Sequence, residues 1–158
     1  MTATLTAAPT RADILAALRA FICQRPGLEP GNYFSDWRDI EGRRAYRQES
    51  REITADRADA LALLDAVAWR QSLTAEDMLA QLSHGRLTWN AERGELDYCT
   101  GQYFCTEYRP AAARALASML WAYWRECAKE GHERGTADDI RAEARRTFRS
   151  RRVLRFFN

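Results

Sequence analysis

The apolar positions of this chain recur mostly at helical spacing. Ile14, Leu18 and Ile22 lie four residues apart, with Leu15 in the same apolar stripe, and predict a helix over residues 10–23. Thr10 and Asp13 open it as a capping box, in which hydroxyl and carboxylate each satisfy a free backbone N–H. Pro26 ends it, because the residue before a proline avoids helical backbone. A turn-rich connector follows, RPGLEPGNY, and then a polar stretch at residues 37–50 that reads as helix or partly loop. Residues 54–70 predict a longer helix with Ala58, Leu61, Leu64 and Ala68 on its buried face. Thr74 and Asp77 open a short helix over residues 74–82.

The period then changes from helical to alternating. Residues 86–90 and 95–99 flank Ala91-Glu92-Arg93-Gly94, which predicts a β-hairpin with a four-residue loop. Pairing Asn90 with Glu95 sets Trp89 opposite Leu96 and Leu87 opposite Tyr98. All four apolar side chains then share one face, and a slip of one residue would scatter them. Such a hairpin is unstable alone and must lie on helices. Pro110 suits a first helical position, and residues 111–129 give the strongest helical pattern, with Leu116, Leu120, Tyr123 and Cys127 in one stripe. This is the expected central helix. Trp121 and Trp124 beside that stripe are either a dimer face or part of the monomer core. Thr136 and Asp139 open a last helix that frays near Ser150. The expected fold is mainly α (α+β), a helical domain with one small antiparallel β-hairpin packed on a central helix. Residues 1–140 form one compact domain, with the hairpin at 86–99, and residues 141–158 form a basic C-terminal helix or tail.

Composition sharpens the view of that tail. Residues 141–158 carry seven arginines against one acid, Glu143, a net charge of +6. The whole chain is only +2, which leaves residues 1–140 at −4. Such asymmetry suits an anionic partner: nucleic acid, an acidic protein surface, or the chain's own acidic face. Of the basic residues 23 are Arg and one is Lys, spread along the chain, a bias that a GC-rich genome explains as well as phosphate recognition does. The candidate binding residues are Arg141, Arg145, Arg146, Arg149, Arg151, Arg152 and Arg155. On one continuous helix Arg141, Arg145 and Arg149 align, with Arg152 on the same side, about 5–6 Å between neighbours. If six or seven of them met phosphates, binding would weaken about 10³-fold or more between low and moderate salt. Phe148, Val153, Leu154, Phe156 and Phe157 are interleaved, to stack on bases or to dock the tail on the body.

A second candidate is the loop between hairpin and central helix. Asp97, Gln102, Tyr103, Glu107, Tyr108 and Arg109 cluster there, as an interaction loop or as filling for the seam between the two elements. Cys99, opposite Arg86 and near His84, has no evident orienting group, so a thiol nucleophile is not expected. The cysteine and histidine spacings do not match compact metal-ligand pairs, and Gly-rich phosphate loops are missing from the sequence. No cofactor and no metal are expected. The start MTATLTAAPT is polar and does not read as a signal peptide, and the apolar stretch at 111–123 is too short to cross a bilayer. The expectation is a cytoplasmic protein with reduced thiols and no membrane partner.

The segments FICQRPGLEPGNY (21–33), LTWNAERGELDYCTGQYFCTEYRPAAARALASMLW (87–121) and the terminal RFFN resemble a family of small accessory proteins carried on proteobacterial mobile elements: plasmids, phages and integrated conjugative islands. No catalytic residue comes with that resemblance. It implies a context, in which such proteins counter host defence or regulate element genes. It points to a non-enzymatic, anti-CRISPR-like inhibitor of a host defence protein or nucleoprotein complex. A DNA- or RNA-binding accessory protein using the arginine-rich C-terminus is the other reading. Many inhibitors of this kind are acidic mimics of DNA, and this chain departs from them because its concentrated charge is positive.

Overall fold

A computed structural model describes residues 7–24, 40–99, 111–131 and 136–158. Within them lie α1 (Arg11–Gln24), α2 (Ile40–Trp69), α3 (Ala75–Leu82), β1 (Leu87–Asn90), β2 (Glu95–Tyr98), α4 (Ala111–Gly131), α5 (Ala137–Thr147) and the short α6 (Arg151–Leu154). Two 3-10 turns, Ser83–Gly85 and Arg155–Phe157, follow α3 and α6. Among the described residues the fold is helical with one two-stranded antiparallel sheet, α+β as the pattern predicts.

Helix α4 is the hub. It packs against α1, α2, α3 and α5, against β1, and against both 3-10 turns. Ala115, Leu116, Met119 and Leu120 are fully buried along it, and Trp124 joins the core at 7% exposure, so that ring is not a free dimer face. Its start abuts the turn at Ser83–Gly85, where a Cβ on Gly85 would stand 2.1 Å from the Ala111 carbonyl oxygen. Glycine there permits a backbone approach that no other residue allows.

The hairpin has the register expected from its pattern: Leu87 faces Tyr98 and Trp89 faces Leu96. Leu87 and Leu96 are buried, while Trp89 and Tyr98 are partly buried against the core. The hairpin rests on α1 and α3 as well as on α4. Gly94 takes the left-handed conformation at φ +63°, and the Asn90 side chain accepts from the N–H groups of Glu92 and Arg93 to shape the loop.

Helix α2 departs from the expected element in two ways. It begins at Ile40 and runs unbroken through Thr54, for 30 residues, since its interior holds no proline and a single glycine, Gly42. Its buried face is Ala60, Leu63, Leu64 and Val67, with Asp56 and Asp59 in phase one turn earlier, whereas Ala58 is exposed and Leu61 only partly covered. An Ala/Leu-rich helix offers two apolar stripes, and the choice between them is made by what packs on it. The C-terminus of α2 is closed by Arg11. Its guanidinium donates to the carbonyls of Val67 (3.0 Å), Ala68 (2.7 Å), Arg70 (3.2 Å) and Leu73 (3.1 Å). It thereby occupies carbonyls that a helix end leaves unsatisfied.

Candidate binding face at the C-terminus

The C-terminal segment is built into the core. The Thr136 hydroxyl and the Asp139 carboxylate cap α5 reciprocally, and Ile140 and Ala144 bury its inner edge. The helix stops at Thr147, because Phe148 turns to extended backbone (φ −118°, ψ 142°) and sends its ring inward. Ser150 then caps α6 by accepting from the Val153 N–H. Phe157 closes an aromatic cluster at 5.9 Å from Phe148, 5.9 Å from Trp121 and 5.5 Å from Trp124. Offset ring pairs of this kind add about 0.5–1.5 kcal/mol each beyond area burial. The Trp121 indole N–H donates to the Phe156 carbonyl at 3.1 Å, and the Arg141 Nε–H donates to the Phe157 carbonyl at 3.0 Å. The Phe156 and Phe157 carbonyls are thus held by side chains of α4 and α5.

The buried acids of α2 meet this segment. Ser150 donates to Asp59 at 2.9 Å and Arg152 donates to Asp56 at 2.8 Å. Arg155 stands 3.6 Å from Asp56, and the Arg152 Nε stands 3.8 Å from Asp59 as an ion pair without a hydrogen bond. Two carboxylates this deep are tolerable only beside cations.

The seven candidate arginines therefore divide. Arg152 and Arg155 neutralise Asp56 and Asp59, Arg141 pairs with Asp138 at 3.0 Å, and Arg146 pairs with Glu143 at 2.6 Å. Arg145, Arg149 and Arg151 are exposed and have no acid within ion-pair distance among the described residues. The row of Arg141, Arg145, Arg149 and Arg152 on one helix does not form, because α5 ends before Arg149.

Of the candidate interaction loop, Gln102, Tyr103, Glu107, Tyr108 and Arg109 lie outside the described residues. Asp97 lies in β2 and is engaged within the hairpin by Asn90 (2.8 Å) and Arg93. Cys99 is exposed with its sulfur 3.7 Å from the Thr88 hydroxyl. Among the described residues no group of three metal-ligating side chains gathers, and no helix is long and apolar enough to cross a membrane. Beside α4's end, the Cys127 thiol hydrogen-bonded to Tyr123, with burial, pushes that phenol above its ordinary value.

Asp56, Asp59 and Ser150 were not among the sequence candidates. A signal for the acids is present: they fall on the same period as Ala60, Leu63 and Val67, and acids in phase with a buried stripe imply a cation arriving from elsewhere. Comparison with protein-family models, with curated proteins and with solved structures finds no match to this chain.

Proposed function

We propose that this chain is a non-enzymatic binding protein that sets the free arginines of its C-terminal unit against an anionic surface of a host protein or nucleoprotein complex. Its role in this reading is anti-defence: a mobile element's inhibitor of a complex of the CRISPR-effector kind, acting in the host cytoplasm. The binding part rests on one observation. Arg145, Arg149 and Arg151 stand exposed and, among the described residues, without an acidic partner, while Phe148, Val153 and Phe157 bury the backbone that carries them. Charges displayed from a fixed backbone lose less freedom on association than charges on a loose tail. The anti-defence part rests on the resemblance of residues 21–33 and 87–121 to accessory proteins of mobile elements.

Co-expression with an active CRISPR system in a proteobacterial host tests the whole proposal. The intact chain should raise phage plating efficiency, and Arg145→Glu/Arg149→Glu/Arg151→Glu should abolish the rise. A chain that leaves plating unchanged and binds no such complex at micromolar concentration would refute it.

The same three arginines favour a second reading, a DNA-binding accessory or regulator. Three phosphate contacts make a specific demand on salt dependence. Affinity should fall about 40-fold between 50 and 200 mM salt, against several thousandfold had all seven arginines been engaged. Gel shifts on duplex DNA at both concentrations distinguish these, and an absent shift leaves the protein target.

A further inference from the structure

On α4, Arg114, Ser118, Trp121 and Arg125 are spaced by four, three and four residues and so share one outer face. That face forms one wall of a cleft of about 670 Å³, whose other sides carry Gln81 of α3, His84 of the following turn and Phe156 from the C-terminal turn. The volume suits a group the size of a nucleotide. The Ser118 hydroxyl donates to Gln81 at 2.6 Å, which ties α4 to α3. Among the described residues of its lining one acid, Glu126, faces two arginines and a histidine.

The aromatic residues here are preset. Trp121 is held by its N–H bond to the Phe156 carbonyl and by stacking on Phe157 at 5.9 Å. The Arg125 guanidinium lies over the Trp121 ring at 5.8 Å, and the Arg155 guanidinium over the Phe156 ring at 5.1 Å. A guanidinium resting on a ring keeps its N–H donors at its edge and has lost part of its rotamer freedom before any ligand arrives. Arg114 is exposed and has no acidic partner among the described residues.

We propose that this cleft binds single-stranded nucleic acid, with Arg114 and Arg125 on phosphates and bases stacked against the Arg–aromatic pairs at Trp121 and Phe156. It deepens the function proposed above, since it names the exposed strand of a nucleoprotein partner as what the chain grips. Guanidinium planes laid on rings offer stacking faces to bases, while their edge N–H groups and Arg114 meet the phosphates between. An acidic peptide would use the edge donors and leave the guanidinium faces idle, and a duplex keeps its bases stacked inside.

The test is fluorescence anisotropy with labelled dT15 and rU15 oligonucleotides, using the full chain and Arg114→Glu/Arg125→Glu. Both substituted side chains are exposed, and circular dichroism melts confirm the variant's fold. The intact chain should bind one or both strands, the tighter one identifying DNA or RNA. The variant should bind at least about tenfold more weakly, with a salt slope reduced by about 1.4, the share of two contacts to a single strand. Variant binding at the intact affinity and slope overturns the proposal, as does failure of the intact chain to bind either strand. Displacement of dT15 by polyglutamate as readily as by unlabelled dT15 would make it a peptide site instead. The Arg145→Ala/Arg149→Ala/Arg151→Ala variant separates this from the parent reading. If it alone loses the partner, the arginine face stands and the cleft falls. If only the cleft variant loses it, the reverse holds.

Discussion

Removing Arg152 should strip two buried carboxylates of their nearest cation. The Asp56 and Asp59 side chains are 7% and 11% exposed, while that of Arg152 is 36% exposed. Breaking a fully buried pair costs about 3–5 kcal/mol, and an exposed pair contributes about 0–1. Arg152 lies between those limits, and Arg155 remains 3.6 Å from Asp56 as a partial substitute. Arg152→Ala should therefore cost about 2 kcal/mol, which for a chain of this size lowers Tm by about 4–8 °C. Scanning calorimetry measures it. A double-mutant cycle with Asp56→Ala should return a coupling of about 1 kcal/mol or more, because the acid's burial cost disappears with the acid. If Arg152→Ala melts within about 1 °C of the intact protein, or the two substitutions add, the C-terminal segment is not clasped to α2 in the way described.

Phe157→Ala removes the ring shared by Phe148, Trp121 and Trp124 and should cost about 3–5 kcal/mol in urea unfolding; a cost under about 1 kcal/mol would mean that the aromatic cluster does not hold the chain's end. Gly85→Ala drives a methyl into the Ala111 carbonyl and should destabilise the junction of α3 and α4, seen as a lowered urea midpoint; an unchanged midpoint refutes the close approach. At Asp77 the Thr74 hydroxyl, and with it the Thr74 backbone, holds the carboxyl below its ordinary value of 3.8. Its contribution is then complete above that value and is lost as pH falls through the lowered one. Melts between pH 2 and 6 should show Asp77→Asn less acid-sensitive than the intact chain, and equal sensitivity would contradict the cap.

Local order was legible where one pattern excluded its alternatives. The hairpin register followed from four apolar side chains that share a face in only one alignment, and the caps at Thr10, Thr74 and Thr136 followed from short-range chemistry. The phase of α2 was not legible, because alanines and leucines line both sides of that helix and the deciding partners are remote. Ser150 and Arg152 reach Asp59 and Asp56 across 91 and 96 residues of sequence. The same distance hid that Arg152 and Arg155 neutralise those acids. The pairs of Arg141 with Asp138 and Arg146 with Glu143 span only three residues of one helix, so the folded arrangement was needed to separate Arg152 and Arg155 from Arg145, Arg149 and Arg151. The bend at Phe148 was equally hidden, since the spacing of Phe148, Val153 and Phe157 fits no single helical stripe.

Elution from immobilised heparin, a generic polyanion, probes the arginine face itself. Two variants that lose equal charge are compared with the intact chain. One is Arg145→Ala/Arg149→Ala/Arg151→Ala, whose arginines are free. The other is Arg19→Ala/Arg93→Ala/Arg146→Ala, whose arginines are exposed but paired with Asp65, Asp97 and Glu143. The first should elute at clearly lower salt than the intact chain, and the second close to it. Equal shifts in both, or no shift in the first, would contradict the arginine face.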